Sequence, residues 1–177
     1  MNAQSVLASN GELQAENERL RRSVYELSVL NELAREIGAS QNSQEVMQTV
    51  ISRSLRAVNA EQGVITLSPR LKDGEPTTLV RSMASTGEGK PYIVDMALLG
   101  WMQLNKTPLL IFEPQKDSRF RGVVWNENIK SLVCVPLLIK SELTGILTVF
   151  NKRGGEVFTD EDVRLLAILA SQSAQVV

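Results

Sequence analysis

Apolar residues recur with a seven-residue spacing near the start of the chain, which is typical of a helix that pairs with another helix. In a heptad whose positions are lettered a to g, the d positions are Leu13, Leu20, Leu27 and Ala34. The a positions between them are Asn17, Val24 and Asn31. The segment from Gly11 to Ile37 contains no proline and is rich in good helix formers. We therefore predict a helix over these residues that ends at Gly38, giving an N-terminal element of residues 1–38.

The asparagines of this helix favour a dimer over a solitary helix. Asn17 and Asn31 would cost stability in an ordinary core, whereas paired amides fix the register of a parallel two-stranded coiled coil. Glu16 and Arg21 have the spacing of an interchain ion pair in such a dimer. The alternative is a single solvated helix that lies on its own domain. We predict a homodimer with an interface that includes Leu13, Asn17, Leu20, Val24 and Leu27.

The remaining residues, 39–177, mix helical and strand-like patterns in the order of an α+β domain. The predicted elements are a helix from Asn42 to about Asn59, strands over 63–68 and 77–84, a helix over 96–104, a strand over 109–112, strands over 131–139 and 143–151, and a last helix from Thr159. The strands over 131–139 and 143–151 are almost wholly apolar, which predicts central positions in a sheet covered on both faces. Pro136 should lie at a bulge or point outward.

The last helix has the clearest start signal in the chain. Thr159 is the expected N-cap residue, and Asp162 lies at the position that can bond back to it. One face of the helix is apolar, and we predict that Leu166 and Ala170 contribute to the dimer interface. The chain stops at Val177 without a closing signal, so we expect the helix to continue into a missing effector domain.

Composition excludes several classes of chemistry. The 177 residues include no histidine and one cysteine, Cys134, and the net charge is −1. These counts disfavour histidine-based catalysis, histidine-ligated haem, most zinc sites and a disulfide framework, so we expect no enzyme activity in this chain. Nucleic acid is an unfavoured partner without a basic surface, and no apolar run is long enough to span a bilayer. A cytoplasmic binding or signalling module is the simplest interpretation.

Three motifs near the C-terminal end closely resemble those of a GAF domain. They are Val135-Pro136-Leu137, Leu143-Thr144-Gly145-Ile146-Leu147 and Phe158-Thr159-Asp160-Glu161-Asp162. The resemblance extends from about Glu26 to the end of the chain. It implies a central antiparallel sheet with helices on both faces, one face bundling helices for dimerisation and the other covering a small-molecule pocket. It also implies a sensor in a two-component or related signal-transduction protein, upstream of a histidine kinase, phosphatase or nucleotide cyclase.

The same resemblance directs attention to two groups of site residues. Asn151-Lys152, Phe158 and Asp160-Glu161 resemble the signature of cyclic-nucleotide-binding members, although here one residue instead of three separates the phenylalanine from the acidic pair. We favour the structural interpretation, in which these residues end a strand and cap a helix. The candidate ligand-binding residues are Arg81, Met83, Trp101, Phe120 and Trp125, with Arg119 as a further candidate for an anionic ligand.

The sequence leaves two possibilities open for the segment from Pro91 to Asn128. The segment could cover a pocket that holds a ligand, or its own aromatic side chains could fill that pocket. The sequence leaves the cofactor unknown. A cysteine-linked bilin is disfavoured because related photoreceptors place the attachment cysteine elsewhere and generally use a neighbouring histidine. Cys134 itself lies within an apolar strand, where burial would raise the pKa of its thiol. Asp95, Glu113 and Asp117 are too scattered to predict a metal site, and we expect them to be solvated or to cap turns. The two candidate functions are therefore a ligand-binding sensor and a ligand-free dimerisation and relay domain.

Overall fold

A computed structural model describes the backbone of residues 3–39, 43–68, 78–81 and 92–174, and the side chains of residues 11–33, 45–68 and 92–174. The elements are α1 (Ala3–Ala39), α2 (Ser43–Ala57), β1 (Ala60–Leu67), β2 (Thr78–Arg81), α3 (Met96–Asn105), β3 (Leu109–Phe112), β4 (Ser131–Ile139), β5 (Glu142–Lys152) and α4 (Asp160–Ser173). Short 3-10 turns lie at Pro114–Lys116, Ser118–Phe120 and Arg153–Gly155. The predicted order of helices and strands is confirmed, and Asn42 lies outside the described residues.

The five strands form one antiparallel sheet in the order β2-β1-β5-β4-β3. The central positions of β4 and β5 are confirmed, as the unbroken apolar character of both strands predicts. They are joined at Lys140 and Ser141, which both have positive φ. A tight hairpin turn requires this left-handed backbone conformation, which glycine adopts most readily. Here two non-glycine residues adopt it. The ladder shifts register between Leu137 and Leu138, one residue beyond Pro136.

Gly145 allows β5 to approach β1 closely. A Cβ atom at this position would lie 2.6 Å from the carbonyl oxygen of Thr66 and 3.2 Å from the Cα of Leu67. Both neighbours are backbone atoms of the paired strand, so neither can move aside without disturbing the ladder. The close approach of the two strands therefore explains the glycine of the Leu143–Leu147 motif without reference to any ligand.

One face of the sheet packs against α1, α2 and α4 in what we term the first core. Its buried residues include Leu33, Val50, Ile51, Leu55, Ile65, Val133, Val135, Leu147, Val149, Phe158, Leu165, Leu166, Leu169 and Ala170. The opposite face packs against α3 and the chain that follows β3 in what we term the second core. Its buried residues are Val64, Tyr92, Leu98, Leu99, Met102, Leu109, Ile111, Phe120, Trp125, Ile129, Leu132, Cys134, Ile146 and Phe150. Helices on both faces confirm the expected α+β architecture.

Helix α1 is longer than the sequence pattern indicated. It begins at Ala3, eight residues before Gly11, and ends at Ala39, one residue beyond Gly38. A glycine within a helix costs only about 1 kcal/mol relative to alanine, so neither glycine ends this one. Near its C-terminal end Leu33 is buried in the first core. Arg53 of α2 is 2.8 Å from Glu32, and Arg22 is 2.7 Å from Glu161 of α4.

Helix α4 is described as far as its C-cap. Its last helical residue is Ser173, and the cap residue Ala174 is fully buried in the first core. Residues 175–177 lie outside the described part of the chain. The continuation of this helix into an effector domain therefore stays a prediction.

Candidate functional site

The face of the sheet that forms the second core is the candidate site, because the elements that cover it hold the predicted ligand residues. Trp125 is 8% exposed, and Phe120 is buried beside it. Their rings meet edge to face with centroids 6.0 Å apart, a favourable arrangement of two aromatic quadrupoles. Tyr92 and Phe150 form a second aromatic contact at 5.3 Å. Four aromatic side chains, together with aliphatic residues of the sheet and of α3, thus fill the second core.

Two polar atoms in this region are buried without a hydrogen-bond partner. They are the indole Nε1 of Trp125 and the hydroxyl Oγ1 of Thr66. Thr66 is opposite Ile146 in the ladder, and Ile146 belongs to the second core, so both unpaired groups lie on the same side of the sheet. A buried polar group without a partner costs roughly 1–3 kcal/mol. A ligand or a water molecule with matching polar atoms would recover that cost.

Cys134 lies in the middle of the second core and is fully buried. Burial raises the pKa of its thiol to about 12, an effect only partly opposed by the hydrogen bond from the hydroxyl of Thr148 at 3.4 Å. The thiol therefore stays protonated at neutral pH and is a poor nucleophile. The prediction that Cys134 is a small buried core residue with a raised pKa is confirmed.

The raised pKa of Cys134 predicts a loss of stability in alkaline solution. A free cysteine loses its proton above a pKa of 9.0, whereas folded Cys134 keeps it until about pH 12. Between about pH 9 and pH 12, the Cys134 thiol therefore loses its proton only in the unfolded chain, and this stabilises the unfolded chain. The free energy of unfolding should fall by up to about 1.4 kcal/mol per pH unit above pH 9, with no contribution from Cys134 below it.

Urea unfolding of the wild-type chain and of Cys134→Ala, each followed from pH 8 to pH 10.5, measures this effect. Both chains share every other titrating group, so the difference between their pH slopes isolates Cys134. Parallel slopes above pH 9 would contradict the assignment.

Asn151 organises the loops at one edge of the second core. Its Oδ1 accepts hydrogen bonds from the backbone N–H of Lys130 (2.8 Å) and Ser131 (3.4 Å). Its Nδ2 donates to the carbonyl of Asn128 (2.8 Å), to Glu61 Oε2 (3.0 Å) and to the Tyr92 hydroxyl (3.4 Å). The sequence predicted only the end of a strand here, so this set of bonds was missed.

Tyr92 is held in this cluster by a second contact. Its backbone N–H donates to Gln62 Oε1 at 3.0 Å. Burial raises the pKa of the Tyr92 phenol, and the nearby Glu61 carboxylate raises it further. The phenol therefore remains protonated and available as a hydrogen-bond donor at neutral pH.

Lys152 pairs with Asp162 and not with Asp160 or Glu161, the two acids of the signature that this region resembles. Its Nζ is 2.8 Å from Asp162 Oδ2, and both side chains are largely buried. Asp160 and Glu161 are exposed in the first turn of α4. Three residues separate Phe158 from Asp162, but the next residue is Val163, so the acidic pair of the signature is not reproduced at that spacing.

The side-chain bonds at the start of α4 involve Thr159 and Asp162, and not Asp160 or Glu161. The Thr159 hydroxyl accepts a hydrogen bond from the Asp162 N–H at 3.3 Å, and Asp162 Oδ2 accepts one from the Thr159 N–H at 2.8 Å. Together these bonds form the predicted capping box. Phe158 is buried in the first core.

The scattered acids cap turns or form surface pairs, as predicted. Asp95 Oδ1 accepts a hydrogen bond from the Ala97 N–H at the start of α3. Asp117 accepts from the backbone and the guanidinium of Arg119, and the side-chain bond from Arg119 lowers the pKa of this carboxyl. Because Asp117 already engages the Arg119 guanidinium at 2.6 Å, an anionic ligand would have to compete for it.

The predicted ligand residues are only partly brought together. Phe120 and Trp125 are in contact, and Trp101 on α3 is half-buried against the same core. The backbone of Arg81 lies opposite Gly63 in the ladder, and its side chain lies outside the described residues. Met83 lies outside the described residues. A role in ligand binding stays a prediction for all five.

The predicted dimer residues divide into two groups. Leu13, Leu20, Val24 and Leu27 are 64%, 55%, 62% and 64% exposed, and Asn17 is exposed with them. Leu166 and Ala170 are fully buried in the first core of their own chain. They have no surface with which to contact a second copy, so their assignment to a dimer interface is wrong. The apolar face of α4 serves the fold instead.

Other surfaces offer less to a ligand. A groove of about 380 Å³ on the outside of α2 is lined by polar and charged side chains only, namely Glu45, Gln48, Thr49, Ser52, Arg53 and Arg56, whereas ligand sites are mostly apolar. Across residues 11–33, 45–68 and 92–174, no three acidic or cysteine side chains gather as a metal site would require. No helix in the described part of the chain has the length and apolar character needed to cross a bilayer.

Comparison with known proteins assigns the family. The family model of the GAF domain matches residues 42–177, which is most of the chain. This chain belongs to the GAF domain family. The match begins at the start of α2, so α1 precedes the part of the chain that the family model covers. Among curated protein sequences, none matches this chain.

Solved structures of other proteins share the fold. The GAF domain of a phosphoenolpyruvate-protein phosphotransferase from Acinetobacter is 18% identical, with a TM-score of 0.65 and coverage of 86% of this chain and 92% of that chain. A methyl-accepting chemotaxis protein fragment is also 18% identical, with a TM-score of 0.63 and coverage of 81% and 93%.

The GAF domain of a sensor histidine kinase from Pseudomonas syringae pv. tomato is 14% identical, with a TM-score of 0.58 and coverage of 90% and 89%. GAF domains similar to this one thus occur in signalling proteins. At these identities, the likeness shows the fold and leaves ligand and output to be argued from the residues.

Proposed function

We propose that this GAF domain is a non-enzymatic regulatory module of a larger, cytoplasmic signal-transduction protein. It dimerises through α1 and relays a signal to an output domain that follows it, of the histidine kinase, phosphatase or nucleotide cyclase type. Its GAF relatives in a chemotaxis protein and in a sensor histidine kinase support a signalling role. The observation that carries the dimer is the presence of two distinct faces on α1.

The first face of α1 lies against its own domain. Arg22 contacts Glu161, Val29 packs on the first core, and Leu33 is buried there. These residues occupy the c and f positions of the heptad, which usually point to solvent in a coiled coil. The second face carries the four exposed aliphatic residues Leu13, Leu20, Val24 and Leu27. At about 100° per residue, its centre lies roughly 170° around the helix from the first face.

A second copy of the chain is the occupant that this exposed face fits best. Four aliphatic side chains in one line, each more than half exposed, are costly in water and typical of an interaction surface. Their a and d spacing matches the knobs and holes of a parallel pair, and Asn17 would face its own counterpart. Since the face points away from α2 and α4, two chains can pair without unpacking either domain. We therefore place the two α1 helices at the dimer axis with the domains outside.

The filled second core favours relay without a bound ligand. Trp125, Phe120 and Phe150 belong to the buried cluster on the face of the sheet that α3 covers, which is where we expect a small molecule to bind. The second candidate, a small-molecule sensor, is favoured by the unpaired Trp125 Nε1 and Thr66 Oγ1. Thermal-shift and native-mass measurements with cyclic nucleotides and metabolite mixtures separate the two: a retained, stabilising compound supports the sensor.

Leu20→Glu is expected to convert the dimer to a monomer. The substitution places a charge at a central d position, where two copies would meet across the axis without a partner. Sedimentation equilibrium at micromolar concentration measures the change, with an expected weakening of association of at least about 100-fold. Ala15→Glu introduces the same residue at an exposed f position and should leave association unchanged. A wild-type chain that is monomeric, or two variants that associate equally, would contradict the proposed interface.

A further inference from the structure

Asn151 and Lys152 are adjacent in sequence and contact opposite sides of the sheet. Asn151 bonds to Tyr92, a second-core residue, and to the loop before β4. Lys152 pairs with Asp162 at the start of α4, which packs on the first core. In a regular strand, Asn151 would instead share a face with Val149 of the first core, because side chains alternate.

The backbone of Asn151 explains how this reversal arises. Its φ is +50°, in the left-handed region that costs a non-glycine residue roughly 1–2 kcal/mol. Asparagine is among the residues that adopt this region most readily. The conformation turns its amide toward the loops of the second core and leaves Lys152 directed toward α4. Strain of this kind persists only where surrounding bonds hold it, and Asn151 makes five of them.

The contacts continue from α4 to the proposed dimer helix. Lys152 and the Thr159 N–H donate to the same oxygen, Asp162 Oδ2, so the pair supports the capping box of α4. One residue earlier, Glu161 is 2.7 Å from Arg22 of α1. The first turn of α4 is therefore in contact with α1 through one exposed ion pair.

We propose that Asn151 and Lys152 form a coupling link that joins the loops of the second core to the N-terminal cap of α4. Loss of the Asn151 bonds to the second-core loops lowers the local stability of the α4 cap, and loss of the Lys152–Asp162 pair lowers that of the loops. No single side chain contacts both regions. The signalling use of this link rests on the proposed function. The coupling itself lies within one chain, so it is tested separately from dimerisation.

Site-resolved amide hydrogen exchange on the full chain tests the link. Asn151→Gly keeps the left-handed backbone and removes all five side-chain bonds. Exchange at Lys130 and Ser131, which lose their acceptor, should become roughly five- to tenfold faster, the effect of about one lost hydrogen bond. The diagnostic result is a similar acceleration at Asp162 and Val163, which Asn151 does not touch.

Lys152→Met tests the same coupling in the opposite direction. It removes the ammonium group but keeps the aliphatic stem. Exchange should accelerate at Asp162 and Val163 and also at Lys130 and Ser131, since energetic coupling between two sites is reciprocal.

Gln115→Ala is the matched control. The Gln115 amide donates to the carbonyls of Asn126 and Ile129, so its removal loosens the same loop without touching Asn151. Here the acceleration should stay in the loop. The link is overturned if Asn151→Gly leaves Asp162 and Val163 unchanged, or if Gln115→Ala accelerates them equally. A uniform acceleration that extends to Val133 in β4 also overturns it, because that pattern reports general destabilisation.

Discussion

Asp162→Ala is expected to lower the free energy of unfolding by about 3–5 kcal/mol. The substitution leaves the ammonium group of Lys152 buried without its partner, and it removes the carboxylate half of the α4 capping box. Loss of a capping interaction alone costs only about 1 kcal/mol, so most of the expected effect comes from the stranded charge. Urea unfolding followed by circular dichroism, at one fixed protein concentration, measures the change.

Two further variants separate the buried charge from the helix cap. Asp160→Ala removes an exposed acid from the same helical turn and should cost no more than about 1 kcal/mol, the usual size of a helix-dipole contribution. Lys152→Met introduced into the Asp162→Ala chain removes the stranded charge and should recover part of the lost stability. Equal effects of Asp160→Ala and Asp162→Ala would show that the pair with Lys152 contributes little.

Trp125→Ala is expected to destabilise the chain by about 3–5 kcal/mol. Trp125 is buried in the second core against Phe120, and its removal leaves a cavity between the sheet and the elements that cover it. No hydrogen bond is lost, because the indole Nε1 has no partner in the folded chain. Chemical unfolding measures the loss, and Trp101→Ala, at a half-buried position on α3, should cost clearly less.

Indole added to the Trp125→Ala chain tests whether Trp125 fills a ligand-sized space. An apolar cavity of this kind binds small aromatic compounds, and binding to the folded state alone raises the apparent stability. We expect indole to raise the melting temperature of Trp125→Ala and to leave that of the wild-type chain unchanged. A wild-type chain stabilised to the same extent would mean that the second core is already open to ligands.

Local signals in the sequence were sufficient wherever one segment contains the whole interaction. The capping box of α4 follows from Thr159 and Asp162, which are three residues apart, and both its start and its bonds are confirmed. The central strands β4 and β5 follow from unbroken apolar runs, and burial of Cys134 follows from its place within one of them. The sequence pattern predicts a shorter α1 than the structure contains, because a glycine lowers the stability of a helix only modestly and does not end this one.

The sequence by itself determined the order of elements, the α+β class and a heptad face on α1. The tertiary structure decided which apolar faces remain exposed. Leu166 and Ala170 are buried in the first core, whereas Leu20 is exposed to solvent. It also decided that Asn151 makes five hydrogen bonds with three separate segments of the chain. Periodicity records only that a residue is apolar or polar at a given spacing. Which partner covers it depends on contacts between residues far apart in the chain, and these exist only once the sheet and helices have packed together.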